Sequence, residues 1–256
     1  MLKEKILNKE NAMGMHINLN DIAVGTIAGR AGYDFIWIDM EHSYLSHENL
    51  LNLIVAIHAT GTDVIVRAPQ DDLTTTKKIL EMGPDGIIFP MIRNPEDAKR
   101  LISYTVYPPD GIRGFGPWNA IDYGFDDVNE YVKEHKNKMC RFIQIEHIDA
   151  VNCLDELLKI DYIDGFIIGP MDLSGSMGCL GDCFSDEVSS VIKDVVNRVK
   201  AAGKYIGLST GDVSESNIKH WHDLGIQMLS AGADFDFLRI GAISTRETLQ
   251  KFHLAK

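Results

Sequence analysis

Two carboxylates follow successive apolar runs of the chain and could together hold a divalent cation. Glu146 ends the run CRFIQIE, and Asp172 follows GFIIGP about one strand-and-helix unit later. Neighbouring carboxylates repel each other unless a cation lies between them. An oxygen-rich site with few protein ligands suits Mg²⁺ or Mn²⁺, which could chelate the carboxylate and keto oxygen of a 2-oxo acid. The alternative for each acid is a helix cap or an ion-pair partner at a strand end.

A second group of chemically active residues lies nearer the start of the chain. Asp39, Glu41 and His42 form the motif D-x-E-H, and Arg67 follows VIV. A histidine held by a carboxylate could move protons near neutral pH, while Glu41 could hold a metal-bound water. Arg67 could bind a substrate oxyanion and stabilise developing enolate charge. The alternatives are a structural histidine and a salt bridge from Arg67 to a neighbouring acid.

The elements that would position these side chains form a repeating pattern of apolar, β-rich runs and stretches with helical spacing. Continuous apolar runs are typical of parallel strands that are buried on both faces. The helical spacing is clearest over residues 46–59, 73–82, 94–102, 186–202 and 214–224. The predicted strands are residues 12–17, 34–40, 63–69, 86–91, 140–146, 165–170, 204–210 and 226–232.

This alternation predicts a single (β/α)8 TIM barrel over residues 1–256, with an open doubly wound sheet as the main alternative. Functional side chains of such barrels gather at the C-terminal ends of the strands. The two carboxylates, Arg67 and the D-x-E-H motif would therefore face one cavity. The long connection 103–137 contains Pro, Gly and aromatic residues, and we interpret it as an active-site lid.

Composition argues against several classes of function. The net charge of the 256-residue chain is −12, and no Lys/Arg cluster indicates a nucleic-acid or membrane-surface partner. No segment approaches the ~18 consecutive apolar residues of a membrane span, and the N-terminal segment lacks the apolar run of a secretory signal. The four cysteines show no C-x-x-C spacing, which favours reduced thiols and a cytoplasmic location.

Other polar residues are predicted to be structural. None of the predicted strands ends in lysine, which argues against Schiff-base chemistry. Ser209 and Ser230 lie where late barrel loops sometimes hold phosphate, but small polar residues are equally typical of plain turns. The histidines that we interpret as surface or packing residues are His16, His147, His220 and His222.

Several segments, taken in order, resemble the class II (metal-dependent) pyruvate aldolases, such as 4-hydroxy-2-oxoheptanedioate aldolase and 2-dehydro-3-deoxyglucarate aldolase. The segments are FIWIDMEHS, VIVRAP, GIIFPMI, YPPDGIRGFG, FIQIE and GFIIGPMDLSGSMG. The similarity extends from about residue 14 to about residue 234. It implies a (β/α)8 barrel of the phosphoenolpyruvate/pyruvate type. It also implies a homo-oligomer, a trimer or a hexamer, with C-terminal helices exchanged between neighbours.

The resemblance implies a role for each residue of the motifs. Glu146 and Asp172 would bind the metal, which would be Mg²⁺, Mn²⁺ or Co²⁺. His42, paired with Asp39, would be the acid/base that handles the aldol hydroxyl, and Glu41 would support the site. Backbone amides around Met171 and Asp172 would bind the pyruvate carboxylate. The substrate-binding residues would be Arg67, Gln144, Gly169, Pro170, Met171 and Asp172.

The implied reaction is reversible cleavage of a 4-hydroxy-2-oxo acid to pyruvate and an aldehyde through an enolate. Ser43-Tyr44 and residues 117–120 depart from the family pattern where the distal end of the aldehyde would bind, so the aldehyde is not predicted. The alternatives are a citrate-lyase-like or malyl-CoA-like carbon–carbon lyase on the same fold, and a non-catalytic barrel that binds an oxo acid. A phosphate-binding isomerase barrel has less support, because no glycine-rich phosphate loop is convincing.

Overall fold

The protein forms a closed barrel of parallel strands in which each strand pairs with the next and the last pairs with the first. The computed structural model describes residues 1–69 and 71–252. The predicted TIM barrel is confirmed, and every predicted strand agrees with the structure to within two residues at either end. The strands are β1 (Ala12–Ile17), β2 (Phe35–Asp39), β3 (Asp63–Arg67), β4 (Gly86–Phe89), β5 (Cys140–Ile145), β6 (Gly165–Ile168), β7 (Tyr205–Thr210) and β8 (Met228–Ala233).

Helices surround the barrel, and many begin at a polar side chain that caps free backbone amides. Ser46 accepts from the amide of Asn49, and Asn94 precedes a proline at the first helical position. Within residues 1–69 and 71–252, no helix is both long and apolar enough to cross a membrane. The helices are α1 (Leu2–Asn8), α2 (Ile22–Arg30), α3 (His47–His58), α4 (Leu73–Glu81), α5 (Pro95–Ser103), α6 (Val128–Lys138), α7 (Ile148–Asn152), α8 (Leu154–Leu157), α9 (Pro170–Ser176), α10 (Asp186–Ala201), α11 (Glu215–Asp223) and α12 (Asp234–Lys251).

The barrel interior is packed with side chains and is closed at the N-terminal ends of the strands. Leu2 and Ile6 of α1 belong to the same buried cluster as Phe35, Phe142 and other inward-facing strand residues. Alternate residues along each strand face outward, into a second apolar core beneath the helices. Because α1 closes one end of the barrel, the C-terminal ends of the strands form its open end.

The long connection 103–137 does not lie over the strand ends of its own chain, so the predicted lid is not observed. Its last residues form nearly all of α6, and Asn119–Gly124 form a 3₁₀ helix. Asn119 donates to the backbone carbonyl of Met82, and Arg113 donates to the carbonyl of Leu80. These carbonyls lie where α4 ends, near the start of β4. The connection therefore lies toward the N-terminal ends of the strands, opposite the C-terminal ends, and its aromatic residues Trp118 and Phe125 are exposed.

A glycine is required in β6 because the neighbouring strand approaches it closely. A Cβ atom on Gly165 would lie 2.6 Å from the backbone oxygen of Tyr205 in β7. We predict that Gly165→Ala lowers the free energy of unfolding by about 1–3 kcal/mol, because strand backbone cannot move aside. Urea unfolding would measure the change. Gly211→Ala is the control, since a Cβ there has no atom within 4 Å; equal losses in the two variants would contradict the prediction.

Candidate active site

An ion pair between neighbouring strands lies at the C-terminal end of the barrel. Asp39 and Arg67 are register partners at the ends of β2 and β3. Arg67 donates from Nε to Asp39 Oδ1 at 3.0 Å and from Nη2 to Asp39 Oδ2 at 2.5 Å. The bidentate geometry fixes the plane of the guanidinium group and leaves Nη1 facing the other strands. The salt bridge considered for Arg67 from the sequence is therefore present.

Asp39 also shapes the turn that carries the rest of the D-x-E-H motif. Its Oδ1 accepts from the amides of Glu41 at 2.9 Å and His42 at 3.2 Å. Burial by itself would raise the pKa of Asp39, but hydrogen bonds and charge from Arg67 lower that pKa below its usual value. Asp39 is thus a stable anion that holds both the arginine and the turn.

The expected pairing of the His42 ring with Asp39 is not observed. Both oxygens of Asp39 are already occupied by Arg67 and by backbone amides, so the carboxylate contacts only the backbone of His42. The imidazole is 63% exposed, and its Nε2 lies 3.6 Å from Glu41 Oε2. The ring therefore stands at the mouth of the barrel beside Glu41.

A chain of hydrogen bonds connects Arg67 to the carboxylate of Glu146. Arg67 Nη1 lies 3.4 Å from Gln144 Oε1, and Gln144 Nε2 donates to Glu146 Oε2 at 2.7 Å. The second oxygen, Glu146 Oε1, accepts from the amide of Met91 at 2.5 Å. Met91 has a φ of 56°, an uncommon value for a residue with a side chain, and its amide holds the carboxylate. No residue-type signal in the sequence identifies this contribution of Met91.

Gly169, Pro170 and Asp172 bring a further carboxylate to this side of the barrel. Gly169 precedes α9, which begins with Pro170, and Asp172 lies exposed in its first turn. A Cβ atom on Gly169 would lie 2.8 Å from Glu146 Oε2 and 3.5 Å from Gln144 Nε2. A side chain at position 169 would therefore occupy the space beside the Glu146 carboxylate.

Negative charge exceeds positive charge around Arg67 at the barrel mouth. Burial, together with the nearby charges of Glu41 and Asp172, raises the pKa of Glu146 to about 7 against the lowering effects of the Met91 amide and Arg67. Burial also raises the pKa of Glu41, with contributions from Asp39 and Asp172. Arg67 is paired with Asp39, and its Nη1 lies 3.2 Å from Glu41 Oε2. This one guanidinium group cannot also neutralise Glu146 and Asp172.

The donor atoms present fit a hard divalent cation that keeps open coordination positions. In residues 1–69 and 71–252, no group of three His, Cys, Asp or Glu side chains could hold a metal ion. Glu146 and Asp172 interact electrostatically, and Glu41 Oε2 is buried with no hydrogen bond among the described residues, although Arg67 Nη1 forms an ion pair with it. Carboxylate oxygens with room for water or substrate suit Mg²⁺ or Mn²⁺. Glycine at position 169 lets the backbone before α9 approach the Glu146 carboxylate closely.

His16, predicted to be a surface or packing residue, is buried at the barrel mouth and packs against a neighbouring ring. It is 8% exposed, and its ring lies 4.6 Å from the ring of Trp37. Nε2 is 3.1 Å from Ser209 Oγ, and Nδ1 is 3.0 Å from Ser230 Oγ. Trp37 in turn lies beneath the guanidinium of Arg67, at 5.4 Å. Inward placement of alternate residues in β1 is the signal that could have identified His16.

The sequence and the fold are similar to those of known aldolases. A hydroxypyruvate/pyruvate aldolase from Roseovarius nubinhibens is 30% identical over 250 residues, which cover 98% of this chain and 95% of the relative. A 4-hydroxy-2-oxo-heptane-1,7-dioate aldolase from Salmonella dublin is 32% identical over 231 residues, covering 90% and 87%. The crystal structure of an HpcH/HpaI aldolase from Desulfitobacterium hafniense has a TM-score of 0.91 at 26% identity, covering 98% and 96% of the two chains.

The family model also matches nearly the whole barrel. The model described as HpcH/HpaI aldolase/citrate lyase matches residues 12–239. This range contains every strand and every site residue described above. The prediction of a carbon–carbon lyase of the aldolase type is therefore confirmed, and the chain belongs to the HpcH/HpaI aldolase/citrate lyase family.

Proposed function

We propose that the protein is a divalent-metal-dependent aldolase that reversibly cleaves a 4-hydroxy-2-oxo acid to pyruvate and an aldehyde. The observation that carries this proposal is the buried carboxylate of Glu146, whose pKa is raised to about 7 among other acids. A bound cation would offset the repulsion between Glu146 and the neighbouring acids, whereas burial of the charged carboxylate without a cation costs free energy. The four cysteines carry free thiols, which is consistent with the cytoplasmic location that we also propose.

Glu146 and Asp172 are the metal ligands in this proposal. Gln144 and the Met91 amide hold Glu146 in one orientation, so its position is set before a cation arrives. A bound Mg²⁺ or Mn²⁺, or Co²⁺, would polarise the 2-oxo group of the substrate. The substrate carboxylate would accept from backbone amides at the start of α9, around Met171 and Asp172.

Arg67 stabilises the enolate oxygen that develops when the carbon–carbon bond breaks. Two of its donors are committed to Asp39, so the guanidinium cannot rotate away. Its Nη1 lies close to Gln144 Oε1 and Glu41 Oε2, the groups that flank the open mouth. A fixed cation close to developing negative charge lowers the barrier without reorganising during the reaction.

His42 acts as the acid/base at the hydroxyl of substrate carbon 4. The exposed imidazole takes the hydroxyl proton as the bond between carbons 3 and 4 breaks, and the aldehyde forms. The electron pair of that bond passes to carbon 3 as the enolate, and a proton added there yields pyruvate. Glu41, 3.6 Å from the ring, stabilises the imidazolium formed in this step.

We also propose that the 1–256 chain assembles into a trimer or hexamer with α12 exchanged between neighbours. Apolar side chains on α12 remain exposed in the single chain, with Leu238 at 67% and Phe235 at 44%. Large exposed apolar surfaces generally mark interaction sites. Light scattering would give the mass in solution, and a particle of 28.6 kDa would contradict the proposed assembly.

Metal dependence is the direct test of the proposed reaction. We predict pyruvate release from a panel of 4-hydroxy-2-oxo acids, its loss in EDTA and its recovery with Mg²⁺ or Mn²⁺. Glu146→Gln and Asp172→Asn should each lower metal-dependent turnover by at least about 100-fold, because each removes an anionic ligand. Asp149→Asn is the control, since this acid is 53% exposed at α7. Normal activity in either ligand variant would overturn the metal assignment.

The role of His42 predicts a separation between turnover and binding. We expect His42→Ala to lower kcat for aldol cleavage by about 10²- to 10⁴-fold, as for loss of a general acid/base. The Kd for pyruvate, measured by calorimetry, should change by less than about threefold, because His42 does not hold the oxo acid. His222→Ala, at an exposed position of α11, is the control. A collapse of pyruvate affinity would instead place His42 among the binding residues.

A further inference from the structure

The arc of the barrel formed by β7, β8 and β1 carries polar side chains that the proposed mechanism does not use. The barrel order places these strands between β6, which leads to Asp172, and β2, which ends at Asp39. Ser209 of β7, Ser230 of β8 and His16 of β1 form one hydrogen-bonded chain in this arc. We name this chain the Ser–His–Ser chain.

Both ring nitrogens of His16 contact a serine hydroxyl, and the ring also forms a hydrogen bond with the backbone of Gly232. Ser230 is 1% exposed, and its hydroxyl contacts only His16 among the described residues. These contacts hold the imidazole in one orientation. A serine hydroxyl can both donate and accept, so the contact with His16 uses only part of the hydrogen-bonding capacity of Ser209, and the rest is available to a ligand.

The chain carries no charge near neutral pH. Burial and the positive charge of Arg67 together lower the pKa of His16 to about 4 against the opposing effects of Asp39 and the Gly232 backbone. The imidazole is therefore neutral, as are both serines. Arg67 and Asp39, the charged groups that act on His16, are paired with each other and offer this arc no free counter-charge. A carboxylate or phosphate does not suit this arc, whereas an uncharged hydroxyl group does.

The pairing of β1 with β8 is irregular beside the Ser–His–Ser chain. The register of β1 against β8 shifts between Gly14, which faces Ser230, and His16, which faces Ala233. Gly232, within the irregular segment, has a φ of 74° that favours glycine. Such bulges re-aim side chains and occur frequently next to active sites. Ser209, at the open end of the chain, is only half-buried and lies one residue before the end of β7.

We infer that Ser209, oriented by His16 and Ser230, is a hydrogen-bonding subsite for an uncharged hydroxyl group of the substrate. This inference rests on the proposed aldolase function and names a specificity-determining residue for it. The hydroxyl could belong to carbon 3 of the oxo-acid donor or to the carbon next to the aldehyde group of the acceptor. The same chemistry recognises both, and experiment distinguishes them.

Ser209→Ala tests the subsite by selectivity. In the donor arm, kcat/KM is measured for hydroxypyruvate and for pyruvate with acetaldehyde as the common acceptor. In the acceptor arm, glycolaldehyde and acetaldehyde are compared with pyruvate as the common donor. We expect the ratio of hydroxylated to unhydroxylated substrate to fall about three- to tenfold in one arm, the effect of one neutral hydrogen bond. The arm that changes identifies the partner that carries the hydroxyl.

A second variant and a control make the result specific. His16→Phe keeps an aromatic ring on Trp37 but removes both ring nitrogens, so the same ratio should fall. Ser216→Ala, an exposed serine of α11, should leave both ratios unchanged. The inference is overturned if the wild type shows no preference for the hydroxylated substrate in either arm, or if Ser209→Ala preserves that preference.

Failure of the inference can be told apart from failure of the proposed function. Activity of the wild type with pyruvate and acetaldehyde supports the aldolase reaction whatever happens to the ratios. If no turnover occurs, calorimetry still compares the Kd of hydroxypyruvate with that of pyruvate, and of glycolaldehyde with that of acetaldehyde. Ser209→Ala must then weaken one hydroxylated ligand selectively, and equal affinities in variant and wild type overturn the subsite.

Discussion

Arg67 is the only cation that the structure places among the acids at the C-terminal end of the barrel, within the described residues that form this site. Its Nε and Nη2 donate to Asp39, and its Nη1 lies beside Glu41. Nη1 also contacts Gln144, which in turn donates to Glu146. Because the guanidinium is planar and held at two points, its orientation sets those of its neighbours. The geometry of the whole charged half of the site therefore depends on the Asp39–Arg67 pair.

This single cation leaves the site with unbalanced negative charge. Burial raises the pKa of both Glu41 and Glu146, and that of Glu146 rises to about 7, so in the protein alone Glu146 is partly protonated near neutral pH. A divalent cation resolves the same repulsion while keeping the carboxylates ionised. The rigid support of Glu146 by Met91 and Gln144 means that the ligand does not have to be ordered when the cation binds.

The barrel mouth thus has two chemically different halves. Strands β3, β5 and β6 present charges that suit an oxo acid and a metal, whereas β7, β8 and β1 present the neutral Ser–His–Ser chain. Trp37 connects them, since its ring contacts His16 and lies beneath Arg67. The charged half can bind the oxo-acid part that the substrates share. The neutral half can discriminate among them by a hydrogen bond to a hydroxyl group.

The sequence by itself determined the strands, the barrel and the strand-end residues, because these depend on local apolar runs and on motifs in fixed order. It also indicated Glu146, Asp172 and Arg67 as members of one site. Tertiary structure alone decided that Asp39 holds Arg67 and not the His42 ring, because carboxylate oxygens go to the nearest donors across the register of two strands. It also decided that the connection 103–137 lies toward the N-terminal ends of the strands. The roles of Met91 and His16 depend on a backbone amide and on inward placement between distant strands, which no local pattern records.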